Sequence, residues 1–94
     1  MEITVRYFTI LRRITMKRQE NLKMKEHSTL EDMLAVITEK YGRKFERYAA
    51  SGISKEGLRI VFLLNGKEVT QFKGLKTRLH EGDTVVLMPP IAGG

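Results

Sequence analysis

The chain has no cysteine and no tryptophan, only two prolines, and 7% aromatic residues in a length of 94. Without cysteine, a disulfide scaffold, a thiolate metal site and a cysteine nucleophile are all excluded within this sequence. No apolar run approaches the roughly 20 residues that span a bilayer. The longest, Ile60-Val61-Phe62-Leu63-Leu64, has five. The opening Met1-Glu2-Ile3-Thr4-Val5-Arg6 lacks a basic stretch followed by an apolar one, which predicts no secretion signal. A soluble cytoplasmic protein with no membrane partner is the expectation. The two histidines, His27 and His80, are too few for a convincing metal cluster, so no metal site is expected. Gly42, Gly52, Gly57, Gly66 and Gly74 form no phosphate-cradling motif. Ser28 lies beside His27, but neighbours in sequence do not make a catalytic triad, which is a matter of geometry.

What is present is a basic, moderately apolar chain. Lys and Arg total 17 against 11 Asp and Glu, a net charge of +6, and hydrophobic residues make up 41%. That content argues against disorder and suits one domain, residues 1–94, with one modest core. The cations are dispersed: Arg12-Arg13, Lys17-Arg18, Lys23, Lys25, Arg43-Lys44, Arg47, Lys73, Lys76 and Arg78. No nucleic-acid-binding signature accompanies them, so the charge reads as a solvated surface or a face for an acidic protein, with no nucleic-acid partner. A small basic RNA-binding protein is the competing class, and its affinity would fall steeply with salt.

Alternation over residues 2–8 predicts a strand with Ile3, Val5 and Tyr7 on the core face and Phe8 on the other. A link carrying Ile10, Leu11 and Ile14 leads to a second strand over about 20–26, with Leu22 and Met24 inward. Ser28-Thr29-Leu30-Glu31 fits a capping box, and Leu30, Met33, Leu34, Ile37 and Tyr41 keep the helical period up to Gly42. Residues 43–58 are polar and basic, with a short second helix around Phe45, Tyr48 and Ala49. Residues 59–64 read as a strand with apolar side chains on both faces. Asn65-Gly66 then marks a tight hairpin returning over 67–70. Thr84–Met88 is the final strand, with Val85 and Leu87 inward and Val86 and Met88 outward. The order β-β-α-β-β-β gives an α+β domain, one helix covering one face of a mixed sheet.

The unusual feature is the end: Pro89-Pro90-Ile91-Ala92-Gly93-Gly94 directly after an apolar strand. Prolines favour an extended exit. The last two residues have no side chain and fit a narrow tunnel at any backbone angle. The group so delivered is the α-carboxylate of Gly94, ionised at neutral pH because its pKa is about 3.3–3.7. A carboxylate can attack the α-phosphate of a nucleotide and become an acyl adenylate, open to a sulfur or amine nucleophile.

In these residues the chain resembles the ubiquitin-like sulfur carriers, and within them the small subunit of molybdopterin synthase. The Pro-Pro-x-x-Gly-Gly end is the specific match. Leu79-His80-Glu81-Gly82-Asp83-Thr84-Val85, Leu63 with Asn65-Gly66, and Thr29-Leu30 match the family's last turn, hairpin and helix start, so the resemblance covers nearly the whole chain. The basic segment 43–58 is longer than the family requires. The resemblance implies a ubiquitin-like β-grasp fold, about five strands packed on one main helix, with a flexible tail over 89–94. It also implies a carrier that is not an enzyme alone and binds no cofactor of its own. An activating adenylyltransferase uses ATP and magnesium to adenylate Gly94, and a sulfur donor converts it to a thiocarboxylate. The large synthase subunit then holds the tail residues Pro89, Pro90, Ile91, Ala92 and Gly93 while sulfur passes to a pterin precursor. Thiamine-type carriers, tRNA-thiolation carriers and archaeal protein modifiers share the fold and the Gly-Gly end; Pro89-Pro90 favours the molybdopterin branch. The first and last strands are neighbours in this fold, so Phe8 and Met88 are expected to form one exposed apolar patch near the tail, a docking surface for the partner.

Overall fold

The computed structural model describes residues 1–46 and 61–88. Strand β1 (Glu2–Tyr7) buries Ile3, Val5 and Tyr7 and leaves Glu2 and Arg6 in solvent, as its alternation requires. β2 (Gln19–Lys23) runs antiparallel beside it, with Leu22 opposite Ile3 and Glu20 opposite Val5. The expected span of 20–26 was too long at its far end. The Met24 N–H still donates to the Met1 carbonyl at 2.8 Å, but residues 25–27 turn away, with His27 at φ 69°.

Between these strands the expected link is a six-residue helix, α1 (Ile10–Thr15). Leu11 and Thr15, one turn apart, are buried beneath it, and Met16 ends it in the left-handed conformation. Two inward positions are too few to establish a period, which is why sequence alone gives only a link.

The main helix α2 (Leu30–Tyr41) buries Leu30, Met33, Leu34 and Ile37 against the sheet. Its capping box lies one residue later than Ser28-Glu31. The Thr29 hydroxyl accepts from the Asp32 N–H at 3.3 Å, and the Asp32 carboxylate accepts from the Thr29 N–H at 2.8 Å. Ser28 is held elsewhere: its carbonyl accepts from the Leu79 N–H at 2.8 Å, and the Leu30 N–H donates to the Thr77 carbonyl. This short pairing with residues 77–79 keeps the chain extended until Thr29. Gly42, at φ 78°, ends the helix with its N–H on the Thr38 carbonyl at 2.7 Å. A single turn, α3 (Arg43–Phe45), then seats Phe45 in the core against Tyr7 and Tyr41. Tyr48, Ala49 and the rest of the excursion up to residue 60 lie outside the described residues.

β3 (Val61–Leu64) and β4 (Lys67–Glu68) form the hairpin around Asn65 and Gly66. The return strand is only two residues long, not four. Val69 is buried, and the chain coils into a 3₁₀ turn over Val69–Gln71 to bring it inward. A second 3₁₀ turn, Gly74–Lys76, leads towards β5 (Thr84–Met88). The five strands are ordered β2-β1-β5-β3-β4, with β1 and β5 parallel at the centre and the other pairs antiparallel. One face carries α2; the described helices leave the face bearing Arg6, Leu63 and Val86 uncovered. Among the described residues no helix is long and apolar enough to cross a membrane.

The hairpin supplies a local stability test. Asn65 and Gly66 have φ 51° and 88°, the two positive values of a two-residue turn. A Cβ at Gly66 would meet nothing within 4 Å, so Gly66→Ala pays only the backbone term. We expect it to cost about 1 kcal/mol in urea unfolding at unchanged m-value.

Candidate functional site

The chain reaches the segment 89–94 from β5, a central strand with β1 on one side and β3 on the other. Val85 and Leu87 are fully buried, which fixes Val86 and Met88 on the uncovered face. There the register sets Met88 beside Val61, and Val86 between Leu63 and Arg6. Because the Phe8 N–H donates to the Leu87 carbonyl at 3.1 Å, Phe8 continues β1 one step further along β5 and stands next to Met88. Phe8, Val61, Leu63, Val86 and Met88 thus share one face at the end of β5 from which residue 89 departs.

These side chains are half-buried rather than fully exposed. The reason at Phe8 is visible: the Arg6 and Arg12 guanidinium carbons lie 5.6 and 5.4 Å from its ring centroid, within cation–π range. The surface is therefore an apolar strip with a cationic border. Sequence reasoning named Phe8 and Met88 as the patch and set Val86 outward without adding it; Val61 and Leu63 it missed. The available signal was strand 59–64 itself, apolar on both faces, of which α2 covers only one. Pro89, Pro90, Ile91, Ala92, Gly93 and Gly94 lie outside the described residues.

The ionisable groups with the greatest perturbation lie elsewhere, between the sheet and α2. Glu20, whose side chain is 7% exposed, accepts from Tyr7 Oη at 2.6 Å, Tyr41 Oη at 2.5 Å, Lys40 Nζ at 2.6 Å and Lys17 Nζ at 3.3 Å. Burial alone would raise this carboxyl. The bonds from Lys40, Tyr41, Tyr7 and Lys17 outweigh it and hold the group down at about 2. Burial and the bond to Glu20 push Tyr7 up and Tyr41 to about 12. Every oxygen here is committed to tying β1, β2 and α2 together, so this cluster is scaffold and leaves no base for chemistry.

The histidines are placed separately. His80 opens the turn before β5, where its N–H donates to Asp83 Oδ2 at 2.7 Å, and His27 occupies the turn after β2. Among the described residues, no three His, Asp or Glu side chains stand close enough to hold a metal ion. The arrangement presents a half-buried apolar strip at the end of the strand from which the segment 89–94 continues.

A curated relative, small archaeal modifier protein 3 of Haloferax volcanii, is 30% identical over 94 residues, all of both chains. Two solved structures are similar in fold and sequence. The small archaeal modifier protein 1 of Methanosarcina acetivorans has a TM-score of 0.73 at 28% identity, covering 99% of this chain and 96% of that one. A chain from the complex of subunits 1 and 2 of molybdopterin-converting factor of Helicobacter pylori has a TM-score of 0.60 at 25% identity, covering all of both chains. The ThiS family model matches residues 5–94, taking in both the described sheet and the Gly-Gly end. The five-stranded mixed sheet on one main helix, the last strand at its centre and the family match through Gly94 agree: the chain belongs to the ThiS family, among the ubiquitin-like sulfur carriers.

Proposed function

We propose that the protein carries sulfur on its C-terminal Gly94 and donates it to a pterin precursor as the small subunit of a molybdopterin synthase. The observation that supports this most is Pro89-Pro90-Ile91-Ala92-Gly93-Gly94 following a central strand in a chain of the ThiS family. A carboxylate oxygen of Gly94 attacks the α-phosphorus of ATP on an activating enzyme. Pyrophosphate leaves, and an acyl adenylate forms. Hydrosulfide supplied by a sulfur donor then attacks the acyl carbon, AMP leaves with the bonding pair, and loss of the proton gives the thiocarboxylate. Magnesium and the catalytic side chains belong to the activating enzyme and to the large subunit. This chain contributes the reactive end, the reach and the docking face. Reconstitution of the thiocarboxylated chain with a large subunit and the pterin precursor tests the reading: molybdopterin should form in proportion to thiocarboxylate consumed.

A second reading, protein modification, is favoured by the full-length match to an archaeal modifier. It predicts isopeptide adducts joining Gly94 to lysines of other proteins in cells. Thiocarboxylate without such adducts supports sulfur transfer alone.

The strip of Phe8 and Met88 is assigned to docking of the large subunit. Phe8→Asp sets a carboxylate between Arg6 and Arg12, so stability should change by no more than about 1 kcal/mol. Met88→Asp, at the end of its strand, should behave alike. Each variant should bind the large subunit about tenfold or more weakly, because an apolar contact is lost and a carboxylate must be desolvated at the interface. Calorimetric titration beside urea unfolding checks this. Wild-type affinity in both variants removes the assignment.

A further inference from the structure

Dispersed in sequence, part of the positive charge is gathered by the fold. The β3–β4 hairpin, the two 3₁₀ turns and residues 77–83 enclose an open groove of about 990 Å³ lined by Lys67, Phe72, Lys73, Lys76 and Arg78. Lys76 is paired with Glu31 at 2.8 Å. Among the described residues Lys67, Lys73 and Arg78 form no ion pair, and all three are exposed. The acidic residue in the wall, Asp83, is already engaged: its two oxygens accept from the Asn65 side-chain amide at 2.9 Å and the His80 N–H at 2.7 Å. Phe72 lies between the 3₁₀ turns with 47% of its surface in solvent, the most exposed phenylalanine ring among the described residues. An exposed ring in a groove lined by these cations suits a ligand with a flat face and negative charge.

We propose that this groove binds single-stranded RNA, one base stacking on Phe72 while Lys67, Lys73 and Arg78 hold the flanking phosphates. A stacking ring next to a cationic track is the combination by which proteins hold single strands without reading their sequence. The groove adjoins Asp83 at the start of β5, and the segment 89–94 departs from Met88 at its end. Those ends are about 17 Å apart at the rise of a strand, so RNA and an enzyme grasping the tail occupy separate places. The sequence expectation of no nucleic-acid partner rests on dispersed charge and on the lack of a binding signature; these three cations are dispersed only along the chain.

The test is fluorescence anisotropy of a labelled 12-nucleotide oligouridylate titrated with the full chain. Three phosphate contacts predict that raising salt from about 50 to 200 mM weakens binding roughly tenfold or more. Phe72→Ala should weaken binding about tenfold with the salt dependence unchanged, since it removes stacking and no charge. Lys73→Gln with Arg78→Gln should flatten the salt dependence; if that pair disturbs folding, Lys67→Gln, on the hairpin, serves instead. Wild-type affinity in Phe72→Ala overturns the proposal. So does competition by polyglutamate of matched charge as effective as that by unlabelled RNA, which would identify an acidic-protein site. Adenylation of Gly94 should be unaffected in all these variants, so failure here leaves the carrier reading standing, and loss of adenylation leaves RNA binding measurable.

Discussion

Removal of Gly94 should abolish ATP–pyrophosphate exchange on the activating enzyme while leaving the unfolding transition of the chain unchanged. The core is built on Ile3, Val5, Tyr7, Leu30, Ile37, Val85 and Leu87, all fully buried, and Gly94 lies six residues beyond the last strand and carries no side chain. Deleting it is therefore expected to leave that packing in place. It does move the terminal carboxylate back by one residue, about 3.3–3.6 Å of extended chain. Misplacement of a reacting group by as little as about 1 Å can cost a hundredfold in rate. Exchange in the shortened chain should fall below detection, measured beside thermal unfolding of both proteins. Normal exchange would show that the activated carboxylate does not need its place at position 94.

Glu20→Gln should lower stability at neutral pH by an amount that shrinks in acid. The wild-type carboxylate collects two tyrosyl O–H groups and two lysine ammonium groups in a nearly closed space. Its carboxyl sits at about 2 in the folded chain against an ordinary value of 4.5. That difference sets an upper limit of about 3 kcal/mol favouring the folded state, reduced because Lys17 and Lys40 are themselves half-exposed and screened by solvent. Because the folded value is the lower one, the contribution is fully present above 4.5 and is lost as pH falls towards 2. Urea unfolding of wild type and Glu20→Gln should differ by about 1–3 kcal/mol at neutral pH. The gap should close progressively in acid. A constant gap from neutral to acid pH would mean that the effect is packing and not ionisation.

The sequence made much of this legible, and the physical reasons differ between regions. β1 and β5 are half-buried strands with strict parity, so Ile3, Val5, Tyr7, Val85 and Leu87 identify the inner face without help from any neighbour. Asn65-Gly66 specifies its own turn. The start of α2 was displaced by one residue because Ser28 is claimed by a pairing with Leu79, 51 positions away, which no local pattern reports. α1 escaped because a six-residue helix buries too few positions to show a period. β4 is cut short by the need to bury Val69, a tertiary demand on a stretch that otherwise suits a strand. The Glu20 cluster was invisible for the same reason. A single Glu opposite Val5 looks like any solvent residue until Tyr7, Lys17, Lys40 and Tyr41 converge on it. For the site, Phe8 and Met88 followed from parity and topology together, but the arginines over Phe8 did not. Arg6 is close in sequence, whereas Arg12 arrives only because α1 folds back.

The central claim is that the Gly94 carboxylate is the group on which sulfur is carried. The most direct measurement is the intact mass of the chain after incubation with an activating enzyme, ATP, magnesium and a sulfur donor, followed by tandem fragmentation. The account predicts a gain equal to the difference between one sulfur and one oxygen atom, located on the fragment containing Gly94, and no gain when ATP is omitted. An unchanged mass under conditions where the enzyme thiolates another carrier, or a sulfur found on any other residue, would contradict it.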